Sequence, residues 1–277
     1  MDGYMLGAAL MIASGSIHAI VNAIVKGGRD AVAGRALTDG TGAAILLPAI
    51  AFVPLPHGAW EWLAASAVLH SIYLYGLIRA YQIADFSAAY PILRGTAPLL
   101  TALVTVGLIG EPATPGQMAG IAVIGAAMFL MLIGRHVSHE ALGWSVMTGA
   151  AIASYTVVDA HGVRAAPDPL SYIVWVFVLC GLAAVAMFSV VTRGALFSLA
   201  ARQWKPGAIA GAMSILSYGM ALRAYTLGPT APLAALRETG MVTAVILSAL
   251  FLKERVAPTR IVGAGGIFMG AVLILTH

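Results

Sequence analysis

Charged residues are scarce in this sequence. Asp, Glu, Lys and Arg make up 9% of the 277 residues, whereas soluble domains carry about 25%. Hydrophobic residues account for 60% of the chain. Because so few charges cannot cover a water-exposed surface, the composition excludes an ordinary soluble domain. It predicts an integral membrane protein whose outer surface meets the lipid bilayer.

Cysteine and the common catalytic motifs are also scarce. The single cysteine, Cys180, excludes an intrachain disulfide and a CxxC metal site. No Walker, GxGxxG, HExxH or GxSxG pattern occurs in a suitable context. We therefore expect no metal, no cofactor and no ATP-driven step. The formal net charge of +4 is better explained by membrane orientation than by nucleic-acid binding, for which no motif is present.

Long apolar runs dominate what the sequence does contain. They lack the strict alternation of a membrane β-barrel, and each is near the roughly 20 residues that a helical span requires. The first run follows Met1-Asp2-Gly3 with no basic residue before it, so we expect a first span rather than a cleaved signal peptide. Ten spans are predicted, at residues 5–25, 38–54, 62–83, 86–108, 116–134, 143–160, 170–192, 205–227, 230–252 and 258–276.

The two halves of the chain resemble each other. The alignment that pairs Arg94 with Arg237 also pairs Thr96 with Thr239, Glu111 with Glu254, Pro115 with Pro258 and Gly120 with Gly263. Shared hydrophobicity does not explain matched arginines and glutamates. Two copies of a five-helix unit must enter the membrane in opposite directions, which is typical of transporters. The sequence thus predicts an all-α membrane protein with ten transmembrane helices as two inverted five-helix repeats, residues 1–137 and 138–277.

Basic residues predict the orientation, because Lys and Arg accumulate on the cytoplasmic side. One side of the predicted bundle collects only Arg164 and Arg223. We therefore expect a multi-pass protein of the inner (plasma) membrane with both termini outside. The other side collects Lys26, Arg29, Arg35, Arg79, Arg135, Arg193, Arg202, Lys205, Lys253, Arg255 and Arg260.

Arg94 and Arg237 are the strongest candidates for a substrate site. Each lies about eight residues inside a predicted span, roughly 12 Å below the surface at 1.5 Å per residue. An arginine at that depth needs a partner or a wet cavity, and guanidinium binds carboxylate or phosphate. Glu238 lies beside Arg237, where it would bind a substrate amine, couple transport to protons, or compensate an arginine. A purely structural role for the arginines, capping carbonyls or pairing internally, stays open.

Further candidates share helix faces with these charges. His18 and Asn22 belong to one polar stripe of the first span, and Tyr155 and Asp159 to one face of the sixth. Tyr90 lies four residues before Arg94 on the same face. For each of these residues, helix packing, hydrogen bonding between helices or solvation near a span end is the alternative to lining a site.

These motifs resemble the EamA-type members of the drug/metabolite transporter superfamily. The resemblance covers the whole chain and rests on the doubled arginine, on Gly110-Glu111 and Lys253-Glu254, and on the prolines and glycines that follow them. The opening His18, Asn22 and Lys26 also look like that family's first span. The resemblance implies a five-plus-five inverted repeat, a central cavity and alternating access without ATP. It does not specify a substrate, because such members export diverse metabolites.

We therefore predict a secondary active transporter, and not an enzyme. It would export a small polar metabolite with an anionic group, such as an amino acid, carboxylate or phosphonate, as a monomer or homodimer. The alternatives are a multidrug or lipophilic-cation exporter, a lipid flippase and, more distantly, an intramembrane enzyme that uses His18, His70, Asp159 or His161.

Overall fold

The computed structural model describes residues 3–26, 31–84, 86–194, 198, 201–202, 204–250 and 256–277, and the regular structure across them is helical. Arg29 of the orientation argument and Lys253, Glu254 and Arg255 of the second motif lie outside the described residues. The repeat motif can therefore be followed in its first copy, at Glu111, and only in part in its second.

The described residues of the first half of the chain form five α-helices. The second and fourth change their hydrogen-bonding pattern before they end, the second into a 3₁₀ segment, Leu47–Phe52, and the fourth into a π-helical segment, Leu103–Leu108. The helices are α1 Gly3–Lys26, α2 Ala31–Leu46, α3 Trp60–Ile83, α4 Phe86–Ala102 and α5 Pro115–Leu130.

The second half follows the same plan with one interruption. Its ninth predicted span is divided by a 3₁₀ turn, Arg237–Thr239. The helices are α6 His139–Ala165, α7 Pro169–Val191, α8 Trp204–Tyr225, α9 Thr230–Leu236, α10 Gly240–Leu250 and α11 Pro258–Thr276.

Local capping explains where several helices begin. The Thr114 hydroxyl accepts from the Gln117 amide at 3.1 Å, and the Gln117 side chain accepts from the Thr114 amide at 3.1 Å. Pro115, the first residue of α5, has no N–H that would need a partner. In the same way, the Asp168 carboxylate accepts from the Leu170 amide at the start of α7.

The predicted spans match these helices closely, and the all-α membrane fold is confirmed. Among the residues that the structure describes, six helical stretches are long and apolar enough to cross a membrane. The exact number of ten crossings stays a prediction. Four boundaries were wrong by a full turn or more: α2 begins at Ala31 rather than at residue 38, α5 ends at Leu130 rather than at 134, and α6 extends from His139 to Ala165 rather than from 143 to 160. Those six stretches are Gly3–Val25, Trp60–Ile83, Ala88–Leu108, His139–Ala165, Pro169–Val191 and Pro258–Thr276.

Helix packing pairs the two halves with each other. The most extensive contacts join α5 to α11, α1 to α8 and α3 to α6, followed by α2 to α7 and α4 to α6. Glycine permits the first of these, because a Cβ on Gly120 would lie 2.6 Å from the Gly270 carbonyl oxygen. The contact of α1 with α8 corresponds to that of α6 with α3 under the predicted duplication, although the repeat itself stays a prediction.

Candidate functional site

A cavity of about 490 Å³ lies between the two halves of the bundle. It is lined by α1, α2, α3, α4, α6, α7, α8 and the 3₁₀ turn that follows α9. Its wall extends from Tyr155 and Arg237, near mid-depth, to Gln82 at the end of α3 and Phe188 near the end of α7. The cavity therefore approaches the end of the bundle where α1 ends and α2 begins, which we call the cavity end.

Arg94 is held by an ion pair across the two halves. Its Nε lies 2.8 Å from Oε2 of Glu238, and the two side chains are 9% and 5% exposed. The guanidinium also lies 6.0 Å from the centre of the Tyr90 ring, within cation–π range. Of the roles that the sequence left open for Glu238, compensation of a buried arginine is the one that this contact supports. Glu238 is not among the cavity-lining residues.

Arg237 has a different environment. Its Nε donates to the Ser14 hydroxyl at 3.1 Å, and its Cζ lies 5.3 Å from the centre of the Tyr218 ring. It lines the cavity and is 8% exposed. In the part of the chain that the structure describes, no carboxylate lies within ion-pair distance of this guanidinium. Arg237 is thus a cavity-lining arginine without a carboxylate at ion-pair distance among the described residues.

The backbone around Arg237 explains its exposure to the cavity. The regular helix breaks at Arg237–Thr239, and α1 runs directly against the break. A Cβ on Gly240 would lie 2.6 Å from the carbonyl carbon of Gly15, so only glycine fits there. This close approach places Ser14 beside Arg237.

A second ion pair in the cavity wall was missed by the sequence analysis. Arg35 binds Asp39 through two contacts, Nη2 to Oδ1 at 3.0 Å and Nε to Oδ2 at 3.1 Å. Both side chains line the cavity. The predicted start of the second span at residue 38 was too late and left Arg35 in a loop, whereas Arg35 lies in the second turn of α2. Opposite charges four residues apart were the available signal, since they share a helix face.

Asp159 lies behind the cavity wall rather than in it. It is fully buried and not solvated at a span end. Oδ1 accepts from the Tyr172 hydroxyl at 2.7 Å, and Oδ2 accepts from the Tyr218 hydroxyl. Both carboxylate oxygens are therefore engaged by phenols from α7 and α8.

The remaining predicted residues line the cavity. His18, Asn22, Tyr90 and Tyr155 all contribute to its wall. The Asn22 amide donates to the Tyr90 hydroxyl at 3.3 Å, and Tyr155 stacks on His70 with ring centres 4.1 Å apart. The structure thus places six of the eight predicted residues in one wall and Glu238 and Asp159 one layer behind it. In the described residues, no group of three or more His, Cys, Asp and Glu side chains is placed to hold a metal ion.

Glu111 organises the opposite end of the bundle. Its carboxylate accepts from the Thr230 amide at 2.6 Å and the Thr230 hydroxyl at 2.9 Å, and it pairs with Arg164 at 2.7 Å. Arg164 also donates to the carbonyl oxygens of Tyr225 and Gly228, each at 2.8 Å. This cluster joins the α4–α5 connection to the end of α6 and the start of α9. We call this the sealed end.

The environment of Glu111 favours its ionised form. Partial burial alone would raise the pKa of this carboxyl. The Thr230 amide and the Arg164 guanidinium outweigh that effect and hold the pKa of Glu111 below its ordinary value. The sealed end is therefore held together by a negative charge at neutral pH.

Comparison with known proteins agrees with this architecture. Residues 140–276 match the model of the EamA-like transporter family. A solved crystal structure, 18% identical in sequence, has a TM-score of 0.72 and covers 98% of this chain and 95% of that one. At that identity the likeness shows the fold alone. None of the curated proteins matches the sequence. Through residues 140–276 this chain belongs to the EamA-like transporter family, and it is an EamA-type transporter of the drug/metabolite transporter superfamily.

Proposed function

We propose that this transporter exports a small metabolite with an anionic group by alternating access, and that Arg237 binds that group. The environment of Arg237 supports this proposal. Its guanidinium lies in the cavity wall, where it contacts Ser14 and the Tyr218 ring, and no carboxylate of the described residues is at ion-pair distance. Guanidinium binds carboxylates and phosphonates through paired hydrogen bonds.

The ion pair between Arg94 and Glu238 gives the site a second way to bind a substrate. An incoming anion competes with Glu238 for Arg94, and a released Glu238 carboxylate is then available for a substrate ammonium group. A zwitterion such as an amino acid satisfies both charges, because its two ends replace the two halves of the ion pair. Substrates with one carboxylate or phosphonate use Arg237 alone.

The rest of the wall limits the substrate. Leucine, isoleucine, valine and phenylalanine side chains surround the charged groups, among them Leu77, Val176 and Phe177. A cavity of about 490 Å³ lies within the usual range for small-molecule sites, about 300–1,000 Å³. We therefore propose a compact organic ion with an apolar portion. The basic residues predict that the cavity end faces the cytoplasm. We propose loading from that side, and therefore export.

Thermal unfolding of the detergent-purified protein tests the anion site, because a ligand that binds the folded state raises its apparent stability. The panel consists of matched pairs: benzoate with benzamide, hexanoate with hexanamide, then leucine, phenylphosphonate and tetraphenylphosphonium. We expect stabilisation by anions and zwitterions but not by the neutral amides. Arg237→Gln should abolish the response, whereas the exposed Arg79→Gln should keep it.

Other outcomes would change the assignment. Stabilisation by tetraphenylphosphonium alone contradicts the anion site and favours a lipophilic-cation exporter, with Glu238 as the binding group. Chemical conversion of a panel compound by the protein in detergent would favour an intramembrane enzyme, since a transporter leaves its substrate unaltered.

A further inference from the structure

We infer that Asp159 is a positioning residue for substrate binding, which acts through the Tyr218 ring on the guanidinium of Arg237. This inference rests on the proposed role of Arg237 as the anion-binding group. It assigns Asp159, from behind the cavity wall, to the control of anion affinity.

The first step is the anchoring of Tyr218 by Asp159. Asp159 on α6 is fully buried, and its two oxygens accept one hydroxyl each, from Tyr172 on α7 and from Tyr218 on α8. A buried carboxylate needs such donors, because an unsatisfied charge in the interior is costly. The hydroxyl end of Tyr218 is thereby fixed, and direct contact between Asp159 and a substrate is blocked.

The second step is the orientation of the Tyr218 ring. His70 and Phe177 meet it edge-on, with ring centres 5.9 and 6.1 Å away. Fixed at its hydroxyl and on its sides, the ring stays in place beside the Arg237 guanidinium, whose Cζ lies 5.3 Å from the ring centre. A phenol that donates to a carboxylate also becomes richer in electron density, which strengthens its attraction for a cation.

The third step is the dependence of Arg237 on these contacts. Its backbone belongs to the 3₁₀ turn between α9 and α10, and its side chain has one hydrogen bond in the described contacts, to Ser14. The Tyr218 ring is its other support. When Asp159 no longer fixes Tyr218, the guanidinium loses its preset orientation. Anion binding must then bear the entropic cost of ordering the Arg237 side chain, which weakens the affinity.

Four variants separate this path from a general effect on the core. Tyr218→Phe removes the anchoring hydrogen bond while keeping the ring, Asp159→Asn replaces the charged acceptor of that bond by a neutral amide, and Tyr218→Leu removes the ring. Tyr172→Phe is the matched control, because it removes the other hydroxyl from the same carboxylate and Tyr172 does not line the cavity.

The measurement is the apparent Kd of benzoate, from the concentration dependence of the unfolding temperature of the detergent-purified full chain, recorded beside the Tm without benzoate. We expect about a threefold to tenfold weaker Kd for Tyr218→Phe and Asp159→Asn, and a larger loss for Tyr218→Leu. Tyr172→Phe should lower the ligand-free Tm but leave the Kd within about twofold of the wild type.

Three results would overturn the inference, and they differ from one another. If Arg237→Gln abolishes benzoate binding while Tyr218→Phe and Asp159→Asn bind normally, the positioning role fails alone. Equal weakening by Tyr172→Phe and Tyr218→Phe would mean that the core as a whole, not the Tyr218 path, sets affinity. No benzoate response in the wild type, or an unchanged response in Arg237→Gln, removes the proposed anion site and the positioning role together.

Discussion

Among the described residues, the three arginines that line the cavity differ in how their charges are balanced. Arg94 is satisfied by Glu238, Arg35 by Asp39, and Arg237 by a hydroxyl and an aromatic ring. Buried ion pairs contribute little net stability, but loss of one partner costs about 3–5 kcal/mol because the other charge remains uncompensated. The pairs are therefore sensitive positions for both folding and binding.

Glu238→Gln should have opposite effects on folding and binding. Without its carboxylate partner Arg94 destabilises the ligand-free protein, so the Tm should fall by several degrees. The freed guanidinium then adds to the anion site, and benzoate should stabilise this variant more than the wild type.

Thermal unfolding with and without benzoate measures both effects. Glu140→Gln is the control, because its ion pair with Arg79 spans 3.9 Å between exposed side chains and contributes little. A Glu238→Gln protein that is destabilised but gains no benzoate response would show that Arg94 does not reach the substrate.

The sequence predicts which residues lie at the cavity better than it predicts their contacts. The depth of Arg94 and Arg237 follows from the length of the apolar runs, and both line the cavity. The pairing of Arg94 with Glu238 joins positions on different helices, which no spacing along one helix specifies. The sequence placed Asp159 near a span end because the sixth span was predicted to end at residue 160. α6 extends five residues further, to Ala165.

Among the structural elements, the interrupted helix of α9 and α10 has the tightest constraint. The Arg237–Thr239 turn presents Arg237 to the cavity, and the contact of Gly15 with Gly240 leaves no room for a side chain. The break was not predicted, because Glu238 and Thr239 are tolerated in a regular helix and the glycine contact comes from a distant element.

Gly15→Ala should destabilise the protein and weaken benzoate binding. Its Cβ would overlap the backbone carbonyl oxygen of Arg237, and such overpacking costs about 1–3 kcal/mol. Gly265→Ala in α11 is the control, since nothing lies within 4 Å of the added Cβ, and alanine in a helix is favoured by about 0.5–1 kcal/mol. Thermal unfolding with and without benzoate compares the two variants. If Gly15→Ala and Gly265→Ala have the same Tm and the same benzoate response, the close contact between α1 and the Arg237–Thr239 turn does not limit the side chain at position 15.

The α4–α5 connection gives the sealed end a dependence on pH. Because the pKa of Glu111 is lower in the folded state than in the unfolded state, its contribution to stability is complete above the unfolded value, about 4.3. It is lost as the pH falls through the folded pKa. The Tm of wild type should exceed that of Glu111→Gln at pH 7, and the two should converge as the pH falls below about 4. If the difference in Tm between the two proteins is the same at every pH, the contact does not depend on the charge of Glu111.

In the whole molecule, the two ends of the bundle are closed to different degrees. The cavity approaches one end, and the Glu111, Arg164 and Thr230 cluster joins helices at the other. The resemblance of the sequence implied a central cavity, but closure at one end depends on the conformational state, which composition and spacing do not encode.

Cysteine labelling tests the predicted orientation of these ends. In a Cys180→Ala background, single cysteines replace the exposed residues Gln82, at the cavity end, and His57, before the start of α3 at the opposite end. In intact cells a membrane-impermeant maleimide should label His57→Cys and spare Gln82→Cys. The reverse pattern would place the cavity end outside and contradict loading from the cytoplasm.

The charge balance of the cavity region also determines how the carrier responds to voltage. The guanidiniums of Arg35, Arg94 and Arg237 are matched by the carboxylates of Asp39, Asp159 and Glu238. On the proposed function, an empty carrier with neutral histidines therefore reorients without moving net charge. On the proposed function, a bound zwitterion also crosses without electrical work, whereas a monoanion leaving an inside-negative cell gains about 2.3 kcal/mol per 100 mV.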